Sequence, residues 1–229
     1  MFAAMIIGVL MRFIDVTAPD LVTDEAQFAL GSSAAHPPLG LWIMQFSQMI
    51  LGHTLLGARF PSIVAGLLTL VLLYILAKQL LPKYGAQLAV ALAAVLPSAI
   101  LFSRLAYLSA LQCLAWTALT LVFLMVRKNM TGKLLILLYA LAVAATFIKA
   151  QGLLLPGLFL LGRMIEKRKS FWKDPIARVL LCSFAPIFAY ILTHPGIVAT
   201  VTQNSGGNFG THGSFGRFII PSAGKISIG

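Results

Sequence analysis

Three stretches of the chain, at about 61 to 77, 84 to 103 and 105 to 126, contain no Asp, Glu, Lys or Arg. Each is long enough, or nearly so, to cross a bilayer, which takes roughly 20 apolar residues as a helix. Hydrocarbon supplies no partner for an exposed peptide group, so runs of this kind satisfy their own backbone as helices. The rest of the composition agrees: 59% of the residues are hydrophobic and 10% charged, whereas about 25% of the residues of soluble domains are charged. The expected fold class is therefore all-α, a polytopic membrane protein.

Further spans are expected on either side. Met1 to about Val16 is apolar apart from Arg12 and Asp15. It lacks a basic leader and a small-residue cleavage site, so it reads as a first transmembrane helix rather than a signal peptide. A last span runs from about Ile176 to Thr193. Between them, 134 to 165 is apolar but interrupted by Lys149-Ala150-Gln151-Gly152, which makes it one long helix or two short ones. After Pro37 and Pro38, residues placed best at a helix start, Leu39, Trp42, Ile43, Phe46, Met49 and Ile50 recur at helical spacing with Gln45, Ser47 and Gln48 between them. That pattern predicts an amphipathic helix lying in the interface.

Basic residues choose among these topologies, because cytoplasmic loops collect Lys and Arg. If the helix after the double proline does not span and 134 to 165 is a hairpin, one side receives Lys78, Lys83, Arg127, Lys128, Lys133, Arg163, Lys167, Arg168, Lys169, Lys173 and Arg178, eleven of the seventeen Lys and Arg. The expectation is seven spans with the N-terminus cytoplasmic, in a plasma membrane, the bacterial inner membrane before others. Topology then accounts for most of the formal charge of +11, and a nucleic-acid partner loses its main support. Residues 1–193 form the expected transmembrane domain, with an exoplasmic loop over 17–60. Residues 194–229, rich in Gly, Asn and Ser, read as an exoplasmic loop or the start of a further C-terminal part.

The same topology sends the scarce acidic residues to the other face. Asp24 and Glu25 stand side by side in a polar loop, in a chain with six acidic residues in all. His36, Arg59, Arg104 and Lys149 come to the same exoplasmic side, the three cations each at the end of a span. A cation in the membrane is costly and usually has a partner or reaches the interface. Three of them beside a carboxylate pair point to a phosphate-bearing ligand.

These residues occur in an ordered set: Asp24-Glu25, His36-Pro37-Pro38-Leu39-Gly40, Arg59-Phe60-Pro61-Ser62, Pro97 leading to Ser103-Arg104, and Phe147-Ile148-Lys149 before Pro156. In that order they resemble the GT-C superfamily of membrane glycosyltransferases, in particular the protein O-mannosyltransferase and aminoarabinose-transferase-like branch, over about residues 5 to 165. The resemblance implies a multi-helix membrane fold, a polyprenyl-phosphate-linked sugar donor, a protein, lipid or glycan acceptor, and transfer on the exoplasmic face. Asp24 is the candidate base for the acceptor hydroxyl, with Glu25 assisting or orienting it. Arg59, Arg104, Lys149 and His36 are the candidate donor-phosphate ligands. A divalent cation is the one cofactor left open.

The chain also departs from the family pattern. Ser109 stands where relatives carry a second acidic residue, and the sequence stops soon after the last expected span, where such enzymes commonly continue. Two alternatives therefore stay open: a non-catalytic GT-C-like subunit or scaffold working with a membrane protein partner, and a transporter of a lipid-linked sugar. Plainer roles also exist for single residues. Asp24 can cap a helix, and Arg59 and Arg104 can anchor to lipid phosphates. Cys113 and Cys182, both in apolar stretches, read as small buried hydrophobes.

Overall fold

The computed structural model describes residues 2–14, 16, 25 and 37–194. All regular structure among them is helical: α1 Phe2–Phe13, α2 Pro38–Leu51, α3 Leu55–Leu80, α4 Lys83–Val95, α5 Pro97–Arg104, α6 Leu108–Lys128, α7 Gly132–Ile148, α8 Leu154–Glu166, α9 Pro175–Cys182 and α10 Ala185–Thr193, with short 3-10 turns at Ala150–Leu153 and Phe171–Lys173. Among the described residues, three helical segments are long and apolar enough to cross a membrane: α3, α6, and Pro175–Thr193, which joins α9 and α10. Counting the bent pair α4 and α5 as one span makes four. The seven expected spans also included α1, α7 and α8, which have 12, 17 and 13 residues.

Local chemistry explains the boundaries. Thr54 caps α3, its Oγ1 accepting from the Gly57 N–H at 3.0 Å and so satisfying one of the first-turn donors. Pro61 lies inside that helix and cannot donate to the carbonyl four residues back. That carbonyl belongs to Gly57, and the Ser47 hydroxyl of α2 donates to it instead, at 2.7 Å. The bond repairs α3 and fixes α2 against it.

The stretch expected as one span over 84 to 103 is broken. Leu96 is extended, with φ −62° and ψ 121°, as the residue before a proline prefers, and the axis bends by 55° at Pro97. The stretch 134 to 165 is likewise two helices, separated by an extended Lys149 (φ −154°, ψ 140°) and a 3-10 turn. The second returns to where the first began, since Glu166 at its end meets Arg127 at the end of α6 at 3.1 Å.

Two cores hold the bundle. One joins Leu41 and Met44 of α2, Ala58 and Ala65 of α3, Leu108 and Ala115 of α6, and Ala145 and Ile148 of α7. Its many alanines let helices approach closely where lipid gives no hydrophobic drive to associate. The other joins Leu119, Val122 and Phe123 of α6 to Leu138 of α7 and Leu180 of α9, with Phe123 stacked on Phe159 of α8 at 4.1 Å. Large apolar side chains such as Leu88, Ile136, Leu158 and Leu192 point outward, as lipid-facing residues do.

Two local readings need adjustment. The apolar stripe of α2, with Trp42, Phe46, Met49 and Ile50, faces outward, while Ser47 and Gln48 turn toward the protein. The inward polar residues serve α3 and His53, whose Nδ1 lies 3.3 Å from Gln48 Oε1. Cys113 and Cys182, expected to be buried, are free and exposed, Cys113 on the wall of a cavity between the helices.

A candidate active site at one end of the bundle

The elements carrying the expected site residues converge at the end of the bundle where α2, α3 and α6 begin and α5 and α7 finish. Gly40 shows how close they come. A Cβ built there would lie 2.6 Å from Leu108 Cδ2 and 3.1 Å from the Ile148 carbonyl oxygen, so the helix after the double proline enters between the start of α6 and the end of α7 only with a glycine.

The centre of this end is a fully buried ion pair. Arg59, in the second turn of α3, and Glu25 both have no exposed surface. Arg59 Nε donates to Glu25 Oε1 at 2.6 Å and Nη2 donates to Oε2 at 2.8 Å. This two-pronged contact is the strong geometry for guanidinium and carboxylate. The remaining Nη1 donates to the Val16 carbonyl, and the backbone N–H of Ala106 donates to Glu25 Oε1 at 2.7 Å. One carboxylate thus ties residue 25 to α3 and to the link between α5 and α6. Ser62 strengthens the same link, donating to the Tyr107 carbonyl at 3.1 Å.

Burying both charges is tolerable only because donors and acceptors are matched. Removing one partner strands the other, at a cost of about 3 to 5 kcal/mol. The local electrostatics therefore favour a rigid anchor for the polypeptide immediately beside residue 24.

The other expected residues are distributed around this anchor. Arg104 closes α5 and its Nη2 donates to the Ile14 carbonyl at 2.6 Å, tying the end of α1 to the same link. Lys149 is half-buried in the extended turn after α7, with its carbonyl accepting from the Gly152 N–H at 2.7 Å. Asp24 and His36 lie outside the described residues. Among those described, no three of His, Cys, Asp and Glu come together as a metal set. Glu25 already has both carboxylate oxygens bonded within the protein.

Sequence reasoning gave Arg59 to a ligand, whereas its guanidinium is turned to Glu25. It also passed over Arg12, buried to 1% exposure in α1, although a lone arginine in an apolar helix marks a site by its cost alone. The Ala106 N–H has no sequence signature, since any residue but proline offers one.

The dolichyl-phosphate-mannose-protein mannosyltransferase family matches the chain over residues 35–194. The match includes Arg59, Arg104 and Lys149 and begins after Asp24-Glu25. No curated protein and no solved structure matches the chain.

Proposed function

Because this chain belongs to the dolichyl-phosphate-mannose-protein mannosyltransferase family, GT-C membrane glycosyltransferases, we propose that it transfers a sugar, mannose before others, from a polyprenyl-phosphate donor to an acceptor hydroxyl on the exoplasmic face. The observation that carries this reading is the Glu25–Arg59 pair. It fixes the main chain next to Asp24 at the bundle end where Arg104 and Lys149 also lie.

In this reading Asp24 takes the proton of the acceptor hydroxyl as its oxygen bonds to the anomeric carbon. The bond from that carbon to the donor phosphate breaks, and its electron pair leaves with the lipid phosphate. Arg104 and Lys149, with His36 beside the double proline, stabilise the charge gathering on the leaving phosphate. Glu25 and Arg59 act as positioning residues, holding the loop rather than touching the donor. The cytoplasmic assignment of the opposite end rests on its basic clusters.

A mannosyl-transfer assay from a radiolabelled polyprenyl-phosphate donor tests the proposal. Asp24→Asn should lower transfer by roughly 10²- to 10⁴-fold while leaving the melting temperature unchanged. Transfer undiminished in Asp24→Asn would remove Asp24 from the chemistry. A wild-type chain that binds donor yet never transfers would favour the scaffold reading, which Ser109 supports by placing a hydroxyl where relatives have a carboxylate.

A further inference from the structure

Gln112, in the second turn of α6, is buried to 4% exposure. A polar side chain inside a membrane span is costly and is kept for a task. The Gln112 amide nitrogen donates to the Ala145 carbonyl of α7 at 3.0 Å, and its oxygen accepts from the Trp116 indole Nε1 at 2.7 Å, the orientation that sets donors against acceptors. Trp116 stands one turn further along α6, so the indole fixes which way the amide faces.

The Ala145 carbonyl is the point where α7 ends. Its own helix holds it loosely, since the Lys149 N–H reaches it only at 3.4 Å, beyond the usual range for such a bond. Lys149 then leaves the helix in an extended conformation (φ −154°, ψ 140°). The Gly152 N–H donates back to the Lys149 carbonyl at 2.7 Å, and a Cβ on Gly152 would overlap the Ala145 carbonyl oxygen. The turn after Lys149 therefore closes directly on that carbonyl, and only glycine fits there. Both neighbours that fix the Lys149 main chain rest on one oxygen, and the firm hydrogen bond to that oxygen comes from Gln112.

Association of α6 with α7 does not require the amide. Ala115 and Ala145 share one apolar core, and Leu119 and Leu138 share the other. The buried amide is instead placed at the level where Lys149 departs, at the end of the bundle that carries Arg59 and Arg104.

We propose that Gln112, oriented by Trp116, is a positioning residue for Lys149: it holds the end of α7 so that the ammonium is presented in one place. The inference rests on the reading of Lys149 as a group that stabilises the leaving phosphate. A cation does so best when it is fixed before charge develops, and a misplacement of about 1 Å costs on the order of 100-fold.

The test is a double-mutant cycle in the mannosyl-transfer assay, with melting temperatures measured alongside. Lys149→Met should lower kcat by roughly 10²- to 10³-fold. Gln112→Leu, which keeps the bulk and removes the amide, should lower it by about 10- to 100-fold with donor KM nearly unchanged. The double variant should be no slower than Lys149→Met alone, because Gln112 acts through Lys149; a residue that only supports the fold would add its loss in full. Trp116→Phe, which keeps the ring and frees the amide to turn, should show a smaller loss with the same dependence on Lys149, and it serves as the second variant if Gln112→Leu does not fold. A readout independent of turnover is the acylation rate of Lys149 by a water-soluble amine reagent, measured by mass spectrometry against the exposed Lys133 at the other end of α7. That ratio should rise several-fold in Gln112→Leu and in Trp116→Phe. The proposal is overturned if the ratio stays at the wild-type value in both variants, or if the kcat losses of Gln112→Leu and Lys149→Met add in full. A wild-type chain that transfers from no donor would instead remove the reading of Lys149, and the acylation ratio alone would then decide whether Gln112 and Trp116 hold it.

Discussion

Arginine meets carboxylate at both ends of this bundle, with different consequences. At the start of α3, Glu25 and Arg59 have no exposed surface and join residues 34 positions apart. At the far end, about 39 Å along a 26-residue helix at 1.5 Å per residue, Lys128 Nζ donates to Gln79 Oε1 at 3.2 Å. There Arg163 binds Asp174 through Nε and Nη2, both at 2.8 Å, and Glu166 through Nη1 at 2.8 Å, partners only 11 and 3 positions away. Arg127 adds an exposed pair with Glu166. The near cluster ties residue 25 to helices far along the chain; the far one joins the ends of neighbouring helices, with Arg163 and Asp174 largely buried and Arg127 and Glu166 exposed. The same chemical pair serves tertiary placement in one region and local termination in the other, and the separation of the partners along the chain decides which.

The sharpest test of that difference is to strand one partner at the buried end. Glu25→Ala or Arg59→Ala should each cost about 3 to 5 kcal/mol, read as thermal stability in detergent. Glu25→Ala combined with Arg59→Met should recover part of the loss, because no unpaired charge remains. A loss below about 1 kcal/mol for either single change would put the pair in the class of exposed ones.

At the other end Asp174→Asn should cost less, about 2 kcal/mol, by weakening charge-assisted bonds from Arg163 and the cap on Ala177. The hydrogen bonds from Arg163 hold the Asp174 carboxyl below its usual value of 3.8, with burial opposing them. A carboxylate lowered in the native state stabilises fully above its unfolded value, and that stability is lost as pH falls through the native one. Wild type should therefore lose stability relative to Asp174→Asn below pH 3.8, and parallel acid titrations of the two proteins would remove Asp174 from the account.

Smaller effects separate packing from charge. Ser47→Ala leaves the Gly57 carbonyl without its donor opposite Pro61 and should cost about 1 kcal/mol, seen as faster hydrogen exchange in the first turns of α3. Arg127→Gln removes an ion pair whose side chains are 45% and 41% exposed. Its effect should stay within about 1 kcal/mol and shrink further in high salt; a larger loss would mean the far end is less open than its exposure indicates.

Much of this was legible in the residues. The charge-free runs dictated helices and Lys149-Ala150-Gln151-Gly152 marked the turn between α7 and α8, whereas the run from 84 to 103 was expected as one span and bends at Pro97. Arg59, Arg104 and Lys149 could be assigned to one end because each lies at a span boundary, and Glu25 because the loop expected to hold it follows the first span. Their pairing could not be read, since a boundary position says nothing about which carboxylate a guanidinium faces, and the Ala106 N–H is invisible in any sequence pattern. Arg12 was visible as a lone charge, but its bond to the Ala94 carbonyl was not, because that contact exists only where α1 packs against the end of α4.

What the sequence determined by itself is the medium and the elements. Hydrocarbon accepts only backbones that satisfy themselves, so apolar runs with few charges leave helices as the single outcome. What only the tertiary structure decided is the use of the few charges that remain. Their energies depend on burial and on partners up to 90 positions away, as between Arg104 and Ile14, and those distances are set by how the helices pack.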